Sequence, residues 1–485
     1  MTLVAPSGVT EAHAGQRSAA SAGSVVVIGG GLAGMAAAVR LAQARRRVTL
    51  VEATPRLGGR ATTYERGGSS FDNCQHVLLG CCTNLIDLFN RLGVSSLIEW
   101  HDTLYFLDRN GRRDVLRRSG LPAPFHLAPS MLKFRSLDWP AKRAIARALI
   151  TALATPHDAR QAWQELPFSA WLQRMKQPAS AIDMFWDTVV VSGLNDTLDA
   201  VSTTAALQIF LQGFMAHRDG YRVGVPRVPL TRLYASAAAI IEAAGGRVEL
   251  GRSARQLHHA DGRMTGIELK CGKIVTAESY VCAMPPWRLA HLCDHALVAS
   301  DIRFRYLDAM AYSPTISVRV TFDRRVTELP HAALLGSPLQ WIFAEDVRDA
   351  AKQTLRLVAS AAREWVDDSP EIIGRRACDL LARYVPAVAS ARALSVDVVK
   401  ERRATFCPSP GLDAKRPKAA GTTANLFLAG DWCRTGWPAT MEGAVRSGYL
   451  AAGAILGRDC VVPDLHRSRR FDIPVAAETE VVACP

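Results

Sequence analysis

Gly29, Gly31 and Gly34 stand at G-x-G-x-x-G spacing directly after the β-branched run at 25–28, and an acidic residue, Glu52, closes a second such run at 48–51. That pattern has a chemical use. The first glycine permits a tight strand-to-helix turn, the second lets backbone N–H groups approach a pyrophosphate, and the third lets helix and strand pack closely. The helix N-terminus adds partial positive charge beneath the phosphates. Glu52 is placed to accept hydrogen bonds from the ribose hydroxyls of an adenosine half. A glycine-rich turn alone is weak ground; the flanking strands and the Ala-rich helical stretch at 32–44 turn it into an expectation of dinucleotide binding.

A second glycine pair, Gly58-Gly59, followed by Arg60, comes straight after the acidic strand end and offers another approach to a pyrophosphate. Near the other end, an apolar run at 425–429 turns through Gly430 to Asp431, and the stretch 436–444 leads into a helix. Segments 56–60 and 427–431 resemble the two halves of the FAD-binding signature of the superfamily of amine oxidases, protoporphyrinogen oxidases and phytoene desaturases. The resemblance implies FAD, held by Gly29, Gly31, Leu32, Ala33, Gly34, Glu52, Ala53, Gly59, Arg60, Val248, Gly430, Asp431, Trp437, Pro438, Thr440 and Met441. In it Arg60 contacts the cofactor phosphates, Asp431 the ribityl or phosphate region, and the strand carrying Val248 meets adenine through its backbone. The helix after Trp437 faces the flavin with its positive end, which favours the reduced, anionic ring by roughly 0.3–2 kcal/mol. Ordinary packing beneath the turn accounts for Trp437 equally well.

The segment from Phe71 to Cys81 contains Asp72, Gln75 and His76, followed by a helical pattern through Leu85, Leu88, Phe89 and Leu92. It resembles the squalene-associated FAD-dependent desaturases, or hydroxysqualene dehydroxylases, with Cys74 where that family places a glycine. If that position needs a positive φ, Cys74 would strain it. The resemblance implies reductive removal of an allylic hydroxyl from hydroxysqualene: the oxygen is protonated, water leaves, and the cation accepts hydride. Such chemistry needs a proton donor. His76 is the expected acid, because imidazolium is accessible near neutral pH, and Gln75 is expected to hold the hydroxyl. A C30 hydrocarbon also needs apolar walls, each buried CH₂ contributing about 0.8 kcal/mol. Phe210 and Phe214 are the expected substrate contacts, and the stripes at 125–134 and 205–215 are candidate walls or membrane-facing helices. Arg112, Arg113, Arg117 and Arg118 precede the first stripe and could meet lipid phosphates, or form a plain solvated face.

Two other readings stay open. One is an oxidative desaturase of the phytoene type, with the same fold and cofactor working in the opposite direction. The other is a noncatalytic isoprenoid carrier, against which Glu52, Arg60, Asp431 and the 437–444 turn argue.

The elements that must position these residues imply an α/β fold: a Rossmann-like FAD-binding domain of the GR2 type with a mixed sheet, and an interleaved α+β substrate domain. At 485 residues two domains are expected. Further strand signals at 247–250, 280–283 and 425–429 assign 24–110, 226–300 and 401–457 to the FAD domain, and 111–225 and 301–400 to the substrate domain. Residues 1–23 read as a disordered leader and 458–485 as a peripheral tail.

A formal charge of +13, without interleaved aromatic and basic nucleic-acid motifs, favours a membrane surface over nucleic acid as partner. Eleven cysteines with no C-x-x-C pair suggest reduced thiols and no metal site. No run of about 18 apolar residues is present. The resulting expectation is a cytoplasmic protein, peripheral on the inner face of the cytoplasmic membrane, with an electron donor that the sequence does not identify.

Overall fold

The structure is a computed structural model, and it describes residues 23–66, 69–345 and 351–465. The leader up to residue 22 and the basic run at 466–470 lie outside the described residues.

Strand β1 (Ser24–Ile28), helix α1 (Leu32–Gln43) and strand β2 (Arg47–Val51) form the expected βαβ unit. Helix α2 (Thr83–Arg91) follows the 71–81 segment, while α3 (Ala128–Lys133) and α4 (Trp139–Ala154) lie in the inserted region. Strands β3 (Arg247–Glu249), β4 (Ser279–Cys282) and β5 (Leu426–Leu428) return to the first sheet, and α5 (Met441–Leu456) packs across it. The sheet order is β3-β2-β1-β4-β5. All four pairings are parallel, and the inner strands, buried on both faces, read as largely apolar runs, whereas β3 at the edge is exposed to half-buried. The mixed pairing expected of this sheet occurs elsewhere in the molecule.

Alanines explain why α1 and α5 cross so closely. Ala36, Ala37 and Ala38 are fully buried, and a Cβ on Gly448 of α5 would lie 2.2 Å from the Ala33 carbonyl oxygen. Only glycine permits that approach.

A seven-stranded sheet forms the second layer, ordered 393–406, 312–322, 353–359, 341–345, 331–334, 103–107 and 113–117. Its pairing is mixed: Ala333 and Leu334 run parallel to Phe106 and Leu107, whereas the remaining pairs are antiparallel. The strand Thr103–Leu107, expected with the FAD domain, therefore belongs to this sheet, because besides the adjacent Arg113–Arg117 it pairs with Ala333 and Leu334, more than 200 residues downstream. Against the sheet sits a helical core in which Phe168, Trp171, Trp186 and Phe210 are buried together. Two π-helical segments, Ile182–Asp187 and Ile209–Met215, meet there, with Phe185 stacked on Phe210 at 5.4 Å and Trp186 edge-on to it at 4.9 Å.

The peripheral tail expected from residue 458 is corrected over its described part. Cys460 is buried, Val462 N donates to Asn84 Oδ1 at 2.8 Å, and Asp464 pairs with Arg446. The segment 458–465 thus closes the end of the α2–α5 packing.

Candidate flavin and substrate site

The two glycine turns expected at the pyrophosphate lie against each other. Gly58 N donates to Gly30 O at 2.9 Å, and Gly31 and Gly58 form an isolated parallel bridge. Gly29 adopts φ +105°, and a Cβ there would strike the Ala283 carbonyl oxygen at 2.5 Å. Gly31 is different. Its Cβ position has no neighbour nearer than 3.8 Å, and it starts α1 without a side-chain cap. That leaves open space at a helix N-terminus whose first N–H groups are free of internal partners, a cradle for a phosphate. Leu32 and Ala33 lie in this first turn. Gly34 fills the close-packing role, since its Cβ would sit 1.9 Å from Gly29 O.

Glu52 is buried; Oε2 accepts Gly30 N and Oε1 accepts Thr54 N, each at 2.7 Å. A carboxylate offers about four lone-pair sites, so two remain for ribose hydroxyls. Ala53 beside it is exposed. Val248, on the edge strand β3, pairs with Leu50 of β2, and Glu52 N donates to Glu249 O at 2.9 Å. Val248 thus lies one strand from the acidic residue.

Arg60 and Asp431, expected on the phosphate and ribityl region, are joined at 2.5 Å. Arg60 also donates to Ala404 O at 3.1 Å. Arg56 donates to Thr62 Oγ1 at 3.0 Å and lies over the Tyr64 ring. Gly430 has φ +151° and donates its N–H to Ser447 Oγ of α5 at 2.7 Å.

The turn after Gly430 is held by a residue that the sequence did not single out. Buried Arg416 donates to Asp431 O at 2.9 Å, Cys433 O at 2.5 Å, Trp432 O at 3.4 Å and Thr435 Oγ1 at 3.4 Å. No motif announces it; it sits in a short basic run that reads as a surface. Thr435 Oγ1 in turn accepts Trp437 N at 3.2 Å, and Pro438 O accepts Thr440 N at 2.8 Å. Thr440 caps α5 by accepting Gly443 N, and Met441 begins the helix.

Glu442 was also missed. Fully buried in the first turn of α5, it accepts Leu85 N and Asn84 Nδ2 at 2.8 Å and Asn84 N at 3.2 Å, so it caps α2 from 358 residues away. Burial pushes its carboxyl above the usual range, while the Leu85 and Asn84 N–H donors pull it down.

The 71–76 segment lies between the nucleotide turn and the second layer. Asn73 Nδ2 donates to Arg60 O at 2.7 Å, and Arg356 of the seven-stranded sheet donates to Asp72 O at 2.8 Å. Cys74 is not among the residues with positive φ, so the anticipated strain is absent. Gln75 is half-buried, and its side chain has no hydrogen-bond partner among the described residues. His76 Nδ1 lies 3.0 Å from Cys74 O. A carbonyl only accepts, so Nδ1 carries the proton and Nε2 presents a lone pair. Burial holds the ring below the ordinary histidine pKa, despite the Cys74 carbonyl and Asp72. In its neutral form the ring, with Nδ1–H on Cys74 O, presents Nε2 as an acceptor, and burial shifts the balance toward that form.

The helix carrying Phe210 and Phe214 touches both sides of this site. Gln208 Nε2 donates to Gly436 O at 2.6 Å, and a Cβ on Gly213 would meet Leu79 at 3.3 Å. Phe210 itself is fully packed in the aromatic core, so it shapes the wall from behind. Phe214 is only half-buried, 6.1 Å from it.

The residues fit FAD. Besides the Gly31 cradle, the buried polar atoms without a hydrogen-bond partner among the described residues include Trp437 Nε1 in the 435–440 loop, the Tyr234 hydroxyl on the residue against Gly58, and the Tyr312 hydroxyl. Buried donors of this kind call for a polar partner.

Comparison with known proteins agrees. The chain is 27% identical over 463 residues to 15-cis-phytoene desaturase of Synechococcus elongatus, covering 90% of this chain and 96% of the relative. It is 29% identical to the Narcissus pseudonarcissus 15-cis-phytoene desaturase (89% and 79% covered), and 27% identical to the zeta-carotene desaturase of Synechocystis (89% and 97%). Among solved structures, an oxidoreductase from Methanosarcina mazei superposes with a TM-score of 0.67 at 17% identity, covering 90% of this chain and all of the other. Cyclohexylamine oxidase from Brevibacterium oxydans gives 0.65 at 19% identity, covering 90% and 98%. The family of flavin-containing amine oxidoreductases matches residues 32–456. The chain belongs to that family and is an FAD-dependent oxidoreductase.

Proposed function

We propose that this enzyme moves a hydride between FAD and an allylic carbon of a long acyclic isoprenoid, and that it works in the oxidative direction, desaturating a carotenoid-type precursor. FAD, bound along the glycine turns, supplies the two-electron acceptor. The residues of the chain supply the rest. Desaturation removes a hydride from one carbon and a proton from its neighbour, so a base is needed beside the substrate. The observation that carries the reading is the contact of His76 Nδ1 with Cys74 O at 3.0 Å, which leaves Nε2 as the atom that can accept the proton. Gln75 orients the chain end, and Phe214 with the aromatic wall behind it excludes water. The curated relatives, named as phytoene and zeta-carotene desaturases, support the same direction.

Reductive dehydroxylation of hydroxysqualene is the second reading, supported by the Asp72, Gln75 and His76 spacing and by the stretch 435–444. It asks His76 to donate a proton, which its lowered pKa disfavours. Paired incubations separate the two. Oxidised enzyme with phytoene and a quinone should give products with added double bonds; anaerobic enzyme with chemically reduced FAD and hydroxysqualene should give none. Squalene from the second incubation with no desaturation in the first transfers the assignment, and inactivity in both overturns it.

A further inference from the structure

The stretch 109–150 is apolar and cationic at once, and its surface differs from the rest of the chain. It holds ten arginines and lysines against two aspartates, a net +8 of the total +13. Both aspartates are engaged locally: Asp114 accepts Arg135 N and Ser136 N, and Asp138 caps α4. Arg113, Arg117, Lys133, Arg135, Arg143 and Arg147 have no ion pair among the described residues. In the same stretch large apolar side chains face outward, with Leu132 56%, Trp139 61% and Ile150 60% exposed, joined by Leu121 and Phe125. On α4 the exposed positions 139, 143, 146, 147, 150 and 154 recur at helical spacing, so Trp139 and Ile150 share one face with Arg143 and Arg147. The opposite face, with Ala141, Ile145 and Ala148, is buried in the helical core.

We infer that this face docks on an anionic phospholipid bilayer, with Leu132, Trp139 and Ile150 entering the headgroup boundary and the arginines meeting lipid phosphates. The combination of outward apolar side chains and unpaired cations matches an interfacial helix. A protein partner would have to supply both a greasy surface and many carboxylates, whereas an anionic bilayer presents both by nature. The geometry also joins the bilayer to the substrate core: Leu127 and Phe134, neighbours of the exposed Phe125 and Leu132, are buried in the cluster that contains Phe210. A lipid-dissolved substrate would then enter beside α3. This last step rests on the proposed isoprenoid function; the docking does not.

Flotation of the full-length holoenzyme with vesicles tests it. Vesicles containing phosphatidylglycerol should carry the protein, less so as salt rises. Arg143→Gln and Arg147→Gln should each lower partitioning roughly fivefold. The triple change Leu132→Ser, Trp139→Ser and Ile150→Ser should abolish flotation while flavin content stays at the wild-type level. A second exposed apolar group, Val298, Ile302 and Tyr306, serves as the control, and Ile302→Ser should change nothing. No flotation of the wild type, undiminished flotation of either variant set, or loss with Ile302→Ser would overturn the inference. So would concentration-dependent self-association that Trp139→Ser abolishes, because the face would then receive a second copy. Turnover in detergent micelles reports on the proposed function separately, since these variants should leave it intact.

Discussion

Glu442 offers the sharpest perturbation. Replacing it with alanine removes the acceptor for Asn84 N, Leu85 N and Asn84 Nδ2. The side-chain amide keeps Val462 O at 3.0 Å, so the loss falls on two backbone N–H groups at the start of α2. Each buried unsatisfied donor costs about 1–3 kcal/mol. With the loss of the negative charge at that helix N-terminus, about 0.3–1 kcal/mol, the total for the two donors and the charge is about 2–7 kcal/mol. That is a large share of the 5–15 kcal/mol typical of a folded domain. Glu442→Gln keeps one acceptor oxygen and should lose about half as much. Urea unfolding followed by flavin fluorescence gives the global cost. Amide exchange at Asn84 and Leu85 gives the local one, expected to rise by roughly 10² or more in the alanine variant. A Glu442→Ala protein within about 1 kcal/mol of wild type, or equal losses for Ala and Gln, would refute the reasoning that acceptor capacity is what holds α2 to α5.

Three further outcomes follow from the site and its surroundings. His76→Ala should keep its flavin and lose roughly 10²–10⁴ in kcat; full turnover would remove the base from the mechanism. Arg416→Met should loosen the 431–435 turn and lower FAD affinity at least tenfold, read by flavin titration of the refolded apoprotein, and unchanged affinity would show the turn to be self-supporting. Burial lowers both His126 and His331 to about 4, so the native state binds fewer protons than the unfolded chain between there and 6.5. Stability should be intact above pH 6.5 and fall as pH drops toward 4, by up to about 1.4 kcal/mol per pH unit for each histidine. His126→Phe with His331→Phe should flatten that slope in urea midpoints measured across the window, and an unchanged slope would place the acid sensitivity elsewhere.

What the sequence made legible was local. The βαβ unit, the glycine spacing, Glu52 at its strand end and the helix after Trp437 each announce themselves within about 30 residues, because strand period, turn chemistry and helix start are short-range properties. The residues that escaped notice act over distance. Glu442 caps a helix 358 positions upstream, Asn73 binds Arg60 from the far side of a hairpin, and Arg416 works through carbonyl oxygens that any sequence possesses. Strand Thr103–Leu107 was assigned to the other domain for the same reason: its alternation is ordinary, and only its partners fix its sheet. The downward pull on the His76 pKa was not legible because a reference pKa describes a solvated ring, and solvent access is a tertiary quantity.

The order of strands in the first sheet bears on how the protein is made. β1 is synthesised at residue 24, yet the outermost strand, β5, begins at Leu426, and α5, which covers α1, comes later still. From the completion of β4 at Cys282 until Leu426 is made, β4 presents an unpaired parallel edge, and until α5 forms from Met441 the alanine face of α1 is wet. Both are sites where nascent chains associate wrongly. Polypeptides stopped short of Leu426 should accordingly be held by chaperones or degraded, with no gradual gain of flavin binding as the chain lengthens, and the nucleotide fold should close in a single late event.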